Sequence, residues 1–544
     1  MKRFHSVVLV LVLVLMAGGL AKAAVEKSES GALVLNTQKR VPSDEDAGAY
    51  LIVPERLEWA PQATAIIICD MWDKHWCRGA TERVAQMAPL MNQVVGMARA
   101  EGVTIIHAPS STVNYYANHP ARKRAQNAPA ASNTPKGMNA WQQKKLGSEK
   151  GAAWPVNQSD GGCDCEPKCR KYGAWKRQID VLEIKDEDYI TDSGLETWNI
   201  MEAKGIKNVI VMGVHTNICV IGRPFGLRQM ARVGKNVVLM RDLTDTMYNP
   251  RSKPFVNHFT GTDLVVEYIE KYVCPTVTSS VFTGKAPFVF PADKRLRVTF
   301  ITAENEYRAN QRLPEWAHDL ALQYDIACDF SLGLAKEPGP KRHNITGLEC
   351  LDNADAAVIF VRRRALRTDQ MAFLHKFFER GRPLVGIRTA SHAFDPKGQV
   401  PPGTVFKTVG SVPQKLEDWV AFDGQVLGGN YQGHYGHNPE GTDVHVVPGM
   451  QRHAILKDVP AQGFNSPSWL YKNTPLSPTA QVLLTGTIPG KAPEPVLWTN
   501  RYKESRIAYT SLGHWNDWEV PAFRQMVTNA LFWAMDMPRP KAHQ

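Results

Sequence analysis

A chain of 544 residues exceeds what one hydrophobic core ordinarily organises, so two or three domains are expected. Hydrophobic residues at 43% and charged residues at 22% give a globular balance, without the low-complexity stretches or short repeats of a fibrous chain. The net charge of +11 is scattered among acids, its densest run being Arg362-Arg363-Arg364, and no nucleic-acid motif accompanies it. A solvated surface and no nucleic-acid partner are expected.

The N-terminus reads as a signal peptide. Lys2 and Arg3 precede an apolar run from Val7 to Met16, and Ala21-Lys22-Ala23 supplies the small-x-small exit before Ala24. The run is short for a membrane span, although an uncleaved anchor is the alternative. The expectation is an exported chain, periplasmic or secreted, with 1–23 removed and no stable membrane span afterwards. Disulfides are permitted there.

A lead-in over 24–60 contains Ala49-Tyr50-Leu51-Ile52-Val53, a strand that Pro54 should end. Thr64 to Cys69 is a continuous apolar run closed by Asp70, the pattern of a buried parallel strand. A helix over 81–100 ends at Gly102, and Val103 to His107 is the next strand. Residues 110–175 are polar and rich in Pro, Asn and Lys, the composition of a long loop or insertion. Then come a strand over Ile179 to Ile184, a helix over Leu195 to Lys204 and a strand over Val209 to Gly213. A helix follows Cys219, and Asn236 to Met240 is a further strand. Strands alternating with helices imply a parallel sheet covered on both faces.

The nine cysteines include Cys163, Cys165 and Cys169, clustered in the insertion. Three thiolates so close could hold part of a zinc site. No fourth ligand is obvious, and export favours a disulfide. The odd total leaves at least one thiol unpaired unless chains are cross-linked.

Asp70, Lys185 and Cys219 each follow a strand, where catalytic groups of open α/β sheets gather. A thiol needs activation to attack. A helix N-terminus at Cys219 would favour its thiolate, Lys185 would add a cation, and Asp70 would serve as general base and then general acid. Singly, each residue has a bland reading: a cap, a surface lysine, a small core residue.

Together these segments resemble the isochorismatase-like cysteine hydrolases. The residues that carry the resemblance are Ala65 to Trp72, the region of Lys185, and Gly213-Val214-His215-Thr216-Asn217-Ile218-Cys219-Val220. The resemblance covers about 60–275. It implies a Cys-Asp-Lys triad (Cys219, Asp70, Lys185) and a non-proline cis peptide at Val214–His215. Backbone amides near Ile218 would hold the oxyanion and His215 would line the site. Nicotinamidases of this family carry an Asp-x-His metal motif after the second strand. Here His107 to Thr112 lacks it, which argues against nicotinamidase activity and a catalytic metal. Asp73 and His75 have that spacing but follow the first strand; they either shape the pocket and bind substrate or form a structural pair. True isochorismatases do not require the thiol, so Cys219 favours hydrolysis of an amide, imide or ureido C–N bond, with no cofactor.

After a Pro, Thr and Ser-rich linker, alternation resumes at Leu296 to Ile301. A helix over 316–324, a strand over 356–360, a helix over 370–379 and a strand over 383–387 follow. Residues 295–540 resemble the trehalose-utilisation-like domain, a relative of class I glutamine amidotransferases. The resemblance rests on Pro383 to His392, Gly428-Gly429, Gly433-His434, Leu512-Gly513-His514-Trp515 and the final helix. Arg388 stands where the amidotransferases place their nucleophilic Cys, which excludes glutaminase chemistry. Arg388, His392, His434, His437 and His514 are candidates for a binding or metal site; Gly-His pairs also occur at plain turns.

The expected architecture is two doubly wound, three-layer parallel-sheet α/β domains in tandem, at 61–278 and 295–540, joined by 279–294. The expected function is an exported hydrolase acting on a small molecule, with homo-oligomerisation left open. The alternative is a carbohydrate-related enzyme or binding protein working through the second domain, with an inactive triad.

Overall fold

The computed structural model describes residues 25–542, apart from 29, 143–144, 305, 334–341, 399, 401–404 and 407–413. The expected signal peptide lies outside the described residues. Among the described residues no helix is long and apolar enough to cross a membrane.

Two α/β units follow one another, on sheets of eight and ten strands. The first sheet has the strands β1 (Leu33–Pro42), β2 (Tyr50–Trp59), β3 (Thr64–Cys69), β4 (Thr104–Ala108), β5 (Tyr189–Ile190), β6 (Asn208–Val214), β7 (Asn236–Asp245) and β8 (Thr276–Val277), in the order β2-β1-β8-β7-β6-β3-β4-β5. From β8 to β5 neighbours are parallel, while β1 runs antiparallel to both β2 and β8.

All six residues of β3 are buried. Ala65, Ile67 and Cys69 enter the core on one face and Ile66 and Ile68 the core on the other. A strand covered on both faces needs an unbroken apolar run, and each buried isoleucine contributes about 1.5–3 kcal/mol. The chain leaves β3 for β4 on one side, while β6 lies on the other. Their shared crest is therefore the topological switch point of the sheet, where ligands of such folds bind. Gly213 is required there: with φ 112°, it pairs with Cys69 so closely that a Cβ would lie 2.1 Å from the Cys69 carbonyl oxygen.

Several local expectations are corrected. Pro54 does not end its strand; β2 is an edge strand, where the missing N–H breaks no ladder. Residues 179–184 form no strand, and the strand of that region is the short β5. The segment 279–294 is not bare linker, since Phe282 and Phe290 are buried in the first unit's core.

In the second sheet five parallel strands lie side by side: Ala327–Gly333, Arg297–Ala303, Ala356–Val361, Leu384–Ile387 and Ser505–Thr510. Antiparallel strands extend it beyond Ser505–Thr510, beginning with Glu494–Tyr502. Three of the five parallel strands, Arg297–Ala303, Ala356–Val361 and Leu384–Ile387, were legible as alternation; Ala327–Gly333 and Ser505–Thr510 were not. The β1–β2 hairpin lies between the units: Ile52 is buried in the core of the second, and Arg40 pairs with Glu270 of the first at 3.2 Å.

Candidate active site

Asp70 closes β3 with φ 49° and is fully buried. Its Oδ1 accepts the Ser110 N–H at 2.8 Å, and its Oδ2 accepts the Arg223 Nε–H at 3.2 Å. Burial pushes this carboxyl above its ordinary range, against the opposing pull of Arg223 and of hydrogen bonds from Cys219 and Ser110.

Cys219 reaches the same crest from β6. The peptide Val214–His215 is cis, as the resemblance implied. The chain then makes a single π-helical turn, Thr216–Val220, which holds Cys219 almost wholly buried. The helix expected after the strand is thus a short π-type turn beginning at Thr216, with Cys219 inside it, and the next helix starts at Leu227. Burial and then the charge of Asp70 hold the thiol well above its ordinary value, with Arg223 the largest opposing influence. At rest Cys219 is a protonated thiol beside the Asp70 carboxyl.

Lys185 is not in this site. Residues 179–184 are not a strand, so Lys185 does not follow one; it precedes edge strand β5. Its backbone N–H donates to Asp188 Oδ2 at 2.8 Å, and its ammonium pairs with Glu183, 43% exposed. The cation acting on both Asp70 and Cys219 is Arg223. Arg223 lies four residues beyond Cys219 and stacks on Trp141 at 4.6 Å. An arginine in the turn after Cys219 was the signal available in the sequence.

His215 is buried, and its Nε2 has no hydrogen-bond partner among the described residues. Burial drives it well below the ordinary histidine value, so the ring is neutral. Its ring meets His75 edge-on at 5.0 Å. His75 is lowered to about 4 by burial and then by Arg83, and its Nδ1 accepts the Cys77 N–H at 3.1 Å. The indole of Trp175, from the far end of the insertion, stacks on Trp72 at 4.6 Å and on His75 at 5.6 Å. Neither tryptophan's role here was foreseen. Asp73 is not His75's partner: it accepts the Lys176 N–H at 3.0 Å and so anchors the insertion. Ile218 cannot offer an open amide, because its N–H donates to the His215 carbonyl at 3.0 Å.

In the second unit the expected candidates converge through aromatic rings. Arg388 follows Leu384–Ile387 with φ 45° and is fully buried. Its guanidinium lies 4.1 Å from the Tyr307 ring and 4.7 Å from that of Tyr471. Nη1 donates to Ser468 Oγ and to the Ser511 carbonyl, both at 3.1 Å. Nε and Nη2 have no partner among the described residues. His392 stacks on Tyr431 at 4.4 Å, and Tyr431 meets Tyr471 at 4.7 Å. His434 and His437 flank Trp469 at 5.2 and 5.8 Å, and His514 meets Tyr307 at 5.8 Å. The rings that join these residues, Tyr307, Tyr431, Trp469 and Tyr471, were missed in the sequence because they are separated by up to 164 positions.

Residues 297–534 match the family model ThuA, described as trehalose utilisation. Among solved structures, a cysteine hydrolase from Pseudomonas syringae pv. phaseolicola 1448A is 16% identical, with 41% of this chain and 93% of that one covered and a TM-score of 0.26. An isochorismatase family protein from Burkholderia thailandensis is 14% identical, with 41% and 95% covered and a TM-score of 0.24. A putative ThuA-like protein from Parabacteroides merdae ATCC 43184 is 14% identical, with 46% and 93% covered and a TM-score of 0.32. No curated protein matches the chain.

Proposed function

We propose that the first unit is a cysteine hydrolase that cleaves a C–N bond of an amide, imide or ureido compound, in a chain that is exported. The observation that carries this reading is the buried Asp70 carboxylate, held by Ser110 and Arg223, beside the buried Cys219 thiol. Asp70 takes the thiol proton as sulfur attacks the carbonyl carbon, and the carbonyl electron pair moves onto oxygen. Collapse breaks the C–N bond, and Asp70 delivers its proton to the leaving nitrogen. A water deprotonated by Asp70 then attacks the thioester, the C–S bond breaks, and sulfur is reprotonated. Arg223 offsets the negative charge shared by Asp70 and the sulfur, the part expected of Lys185. His215 offers Nε2 to the bound compound, and Trp72 and Trp175 form an apolar wall.

Hydrolysis of an amide panel by Cys219→Ala tests this. Loss of nucleophile should lower turnover by about 10⁴–10⁶-fold with unchanged melting. Undiminished turnover would move the chemistry elsewhere.

A second reading places ligand binding in the second unit, around Arg388. The support is a buried guanidinium, with two nitrogens that have no partner among the described residues, set among aromatic rings, an arrangement suited to an oxygen-rich ligand. The family description of trehalose utilisation suggests a carbohydrate or a derivative. Thermal shifts with sugars and sugar acids, lost in Arg388→Met, would support it; no shift with any would remove it.

A further inference from the structure

The fold supplies the fourth thiol that the insertion lacks. Cys77 precedes the long helix α1 (Arg78–Ala100), and the sulfurs of Cys77, Cys163, Cys165 and Cys169 all lie within 4.8 Å of one another. The Cys77 and Cys165 sulfurs are 3.8 Å apart. A zinc–sulfur bond of about 2.3 Å gives a tetrahedron whose edge is about 3.8 Å. Two disulfides would instead draw the four sulfurs into separate pairs at about 2.05 Å.

Backbone amides face two of the sulfurs, while Cys77 Sγ lies 3.6 Å from Asp164 Oδ1. Near the start of α1 the Arg78 N–H points at Cys169 Sγ at 3.5 Å, and the Gly79 N–H at Cys165 Sγ at 3.3 Å. These amides have no intrahelical acceptor, so a sulfur anion satisfies both needs at once. Asp164, between two of the cysteines, is held by Arg83 at 2.7 Å, and Arg83 also holds Asp245 at the end of β7 at 2.8 Å. Gly162 lets the loop approach: with φ 70°, a Cβ there would lie 2.3 Å from the Met247 carbonyl oxygen. Trp76 and Ile218 pack against the cysteines, and Asn217 donates to that same Met247 carbonyl at 2.9 Å. Ile218 and Asn217 immediately precede Cys219 in the chain.

We propose that Cys77, Cys163, Cys165 and Cys169 form a tetrahedral thiolate site for one zinc ion, which fastens the insertion to the start of α1, with Ile218 of the Cys219 turn packed against it. Four soft ligands and no open position make the site structural. Binding expels four thiol protons to solvent and keeps the sulfurs reduced. The site does not depend on whether Cys219 hydrolyses an amide.

Elemental analysis of the purified full-length chain should find one zinc per chain. Cys165→Ser and Cys169→Ser should each lower retained zinc at least tenfold under dialysis, whereas Cys274→Ser should retain it. Wild-type chain reloaded with cobalt(II) provides a measurement independent of variant folding. It should show sulfur-to-metal charge transfer and strong tetrahedral visible bands. Three results would overturn the proposal: metal-free chain whose four cysteines resist alkylation until reduced, reduced chain that takes up neither ion, or iron in place of zinc.

Discussion

The two units use the same structural address for different chemistry. Each presents residues at the crest of a parallel sheet, where a strand turns out of the core. In the first, the turn after β6 brings Cys219 to the carboxylate that ends β3. In the second, the turn after Leu384–Ile387 buries a guanidinium between two tyrosines. The first crest has a thiol, a carboxyl and a guanidinium in contact. The second has a cation, histidines and aromatic faces, with Asp517 spent on Ser466, Ser468, Gly513 and His514. Strand order positions a site, and the side chain at the turn decides whether the site reacts or binds.

Asp70→Asn should separate the units most sharply. Losing the general base should cost about 10²–10⁴-fold in turnover. The same change removes a charge that raises the Cys219 pKa, so iodoacetamide should label Cys219 faster at a given pH. In the wild type that labelling should stay slow at neutral pH and rise only above about 9, the ordinary thiol region from which burial and Asp70 displace it upward. Fast labelling of wild type near neutral pH would contradict the protonated resting thiol. Ligand-induced melting shifts of the second unit should be untouched.

Arg223→Ala should be next. It strands the fully buried Asp70 without its ion-pair partner. The expected loss is about 3 kcal/mol by chemical denaturation, at the low end for a broken buried pair because Arg223 is 22% exposed. It should also slow turnover, and Arg223→Lys should recover part of both. A variant as stable and active as wild type would dissolve the arginine's role at the first crest.

Acid should weaken both crests alike. His75 and His514 are each lowered to about 4, by burial first and then by nearby arginines. Below about 6.5 the unfolded chain binds a proton at each position and the folded chain does not, so stability falls as pH drops from about 6.5 to about 4. Each ring contributes up to roughly 3 kcal/mol to that fall. Both rings accept a backbone N–H through Nδ1, a task asparagine can perform. His75→Asn and His514→Asn should therefore each flatten the pH profile of denaturation. An unchanged slope in either would place that histidine outside the neutral buried state.

Much of the frame was legible in the sequence because buried parallel strands leave unbroken apolar runs, as in Ile66-Ile67-Ile68 and Val358-Ile359-Phe360. Asp70 was legible because a strand end is marked by the first polar residue after such a run, and Cys219 through the motif Gly213 to Val220 that follows another run. The antiparallel extension of the second sheet was not, since half-exposed strands such as Gln481–Thr487 carry weaker apolar signals. Nor were partnerships across the insertion. Cys77 and Cys165 are 88 positions apart, and Trp175 reaches Trp72 only once the loop has folded back.

The smallest expected effect is the most pointed. Residues 179–184 read as a strand because Ile179, Val181, Leu182 and Ile184 are apolar, and a lysine at its end would have stood on the same crest as Asp70. In the folded chain Val181 is exposed, Leu182 turns into a core, and Lys185 pairs with Glu183 near the surface. A surface ion pair of this exposure contributes little. Lys185→Ala should therefore change stability by no more than about 0.5 kcal/mol. It should also leave turnover and the pH profile of Cys219 labelling within twofold of wild type, while Arg223→Ala shifts all three. A large loss of turnover in Lys185→Ala would mean that the segment swings inward when substrate binds, restoring the lysine that the family resemblance implies and reducing Arg223 to a support for Asp70.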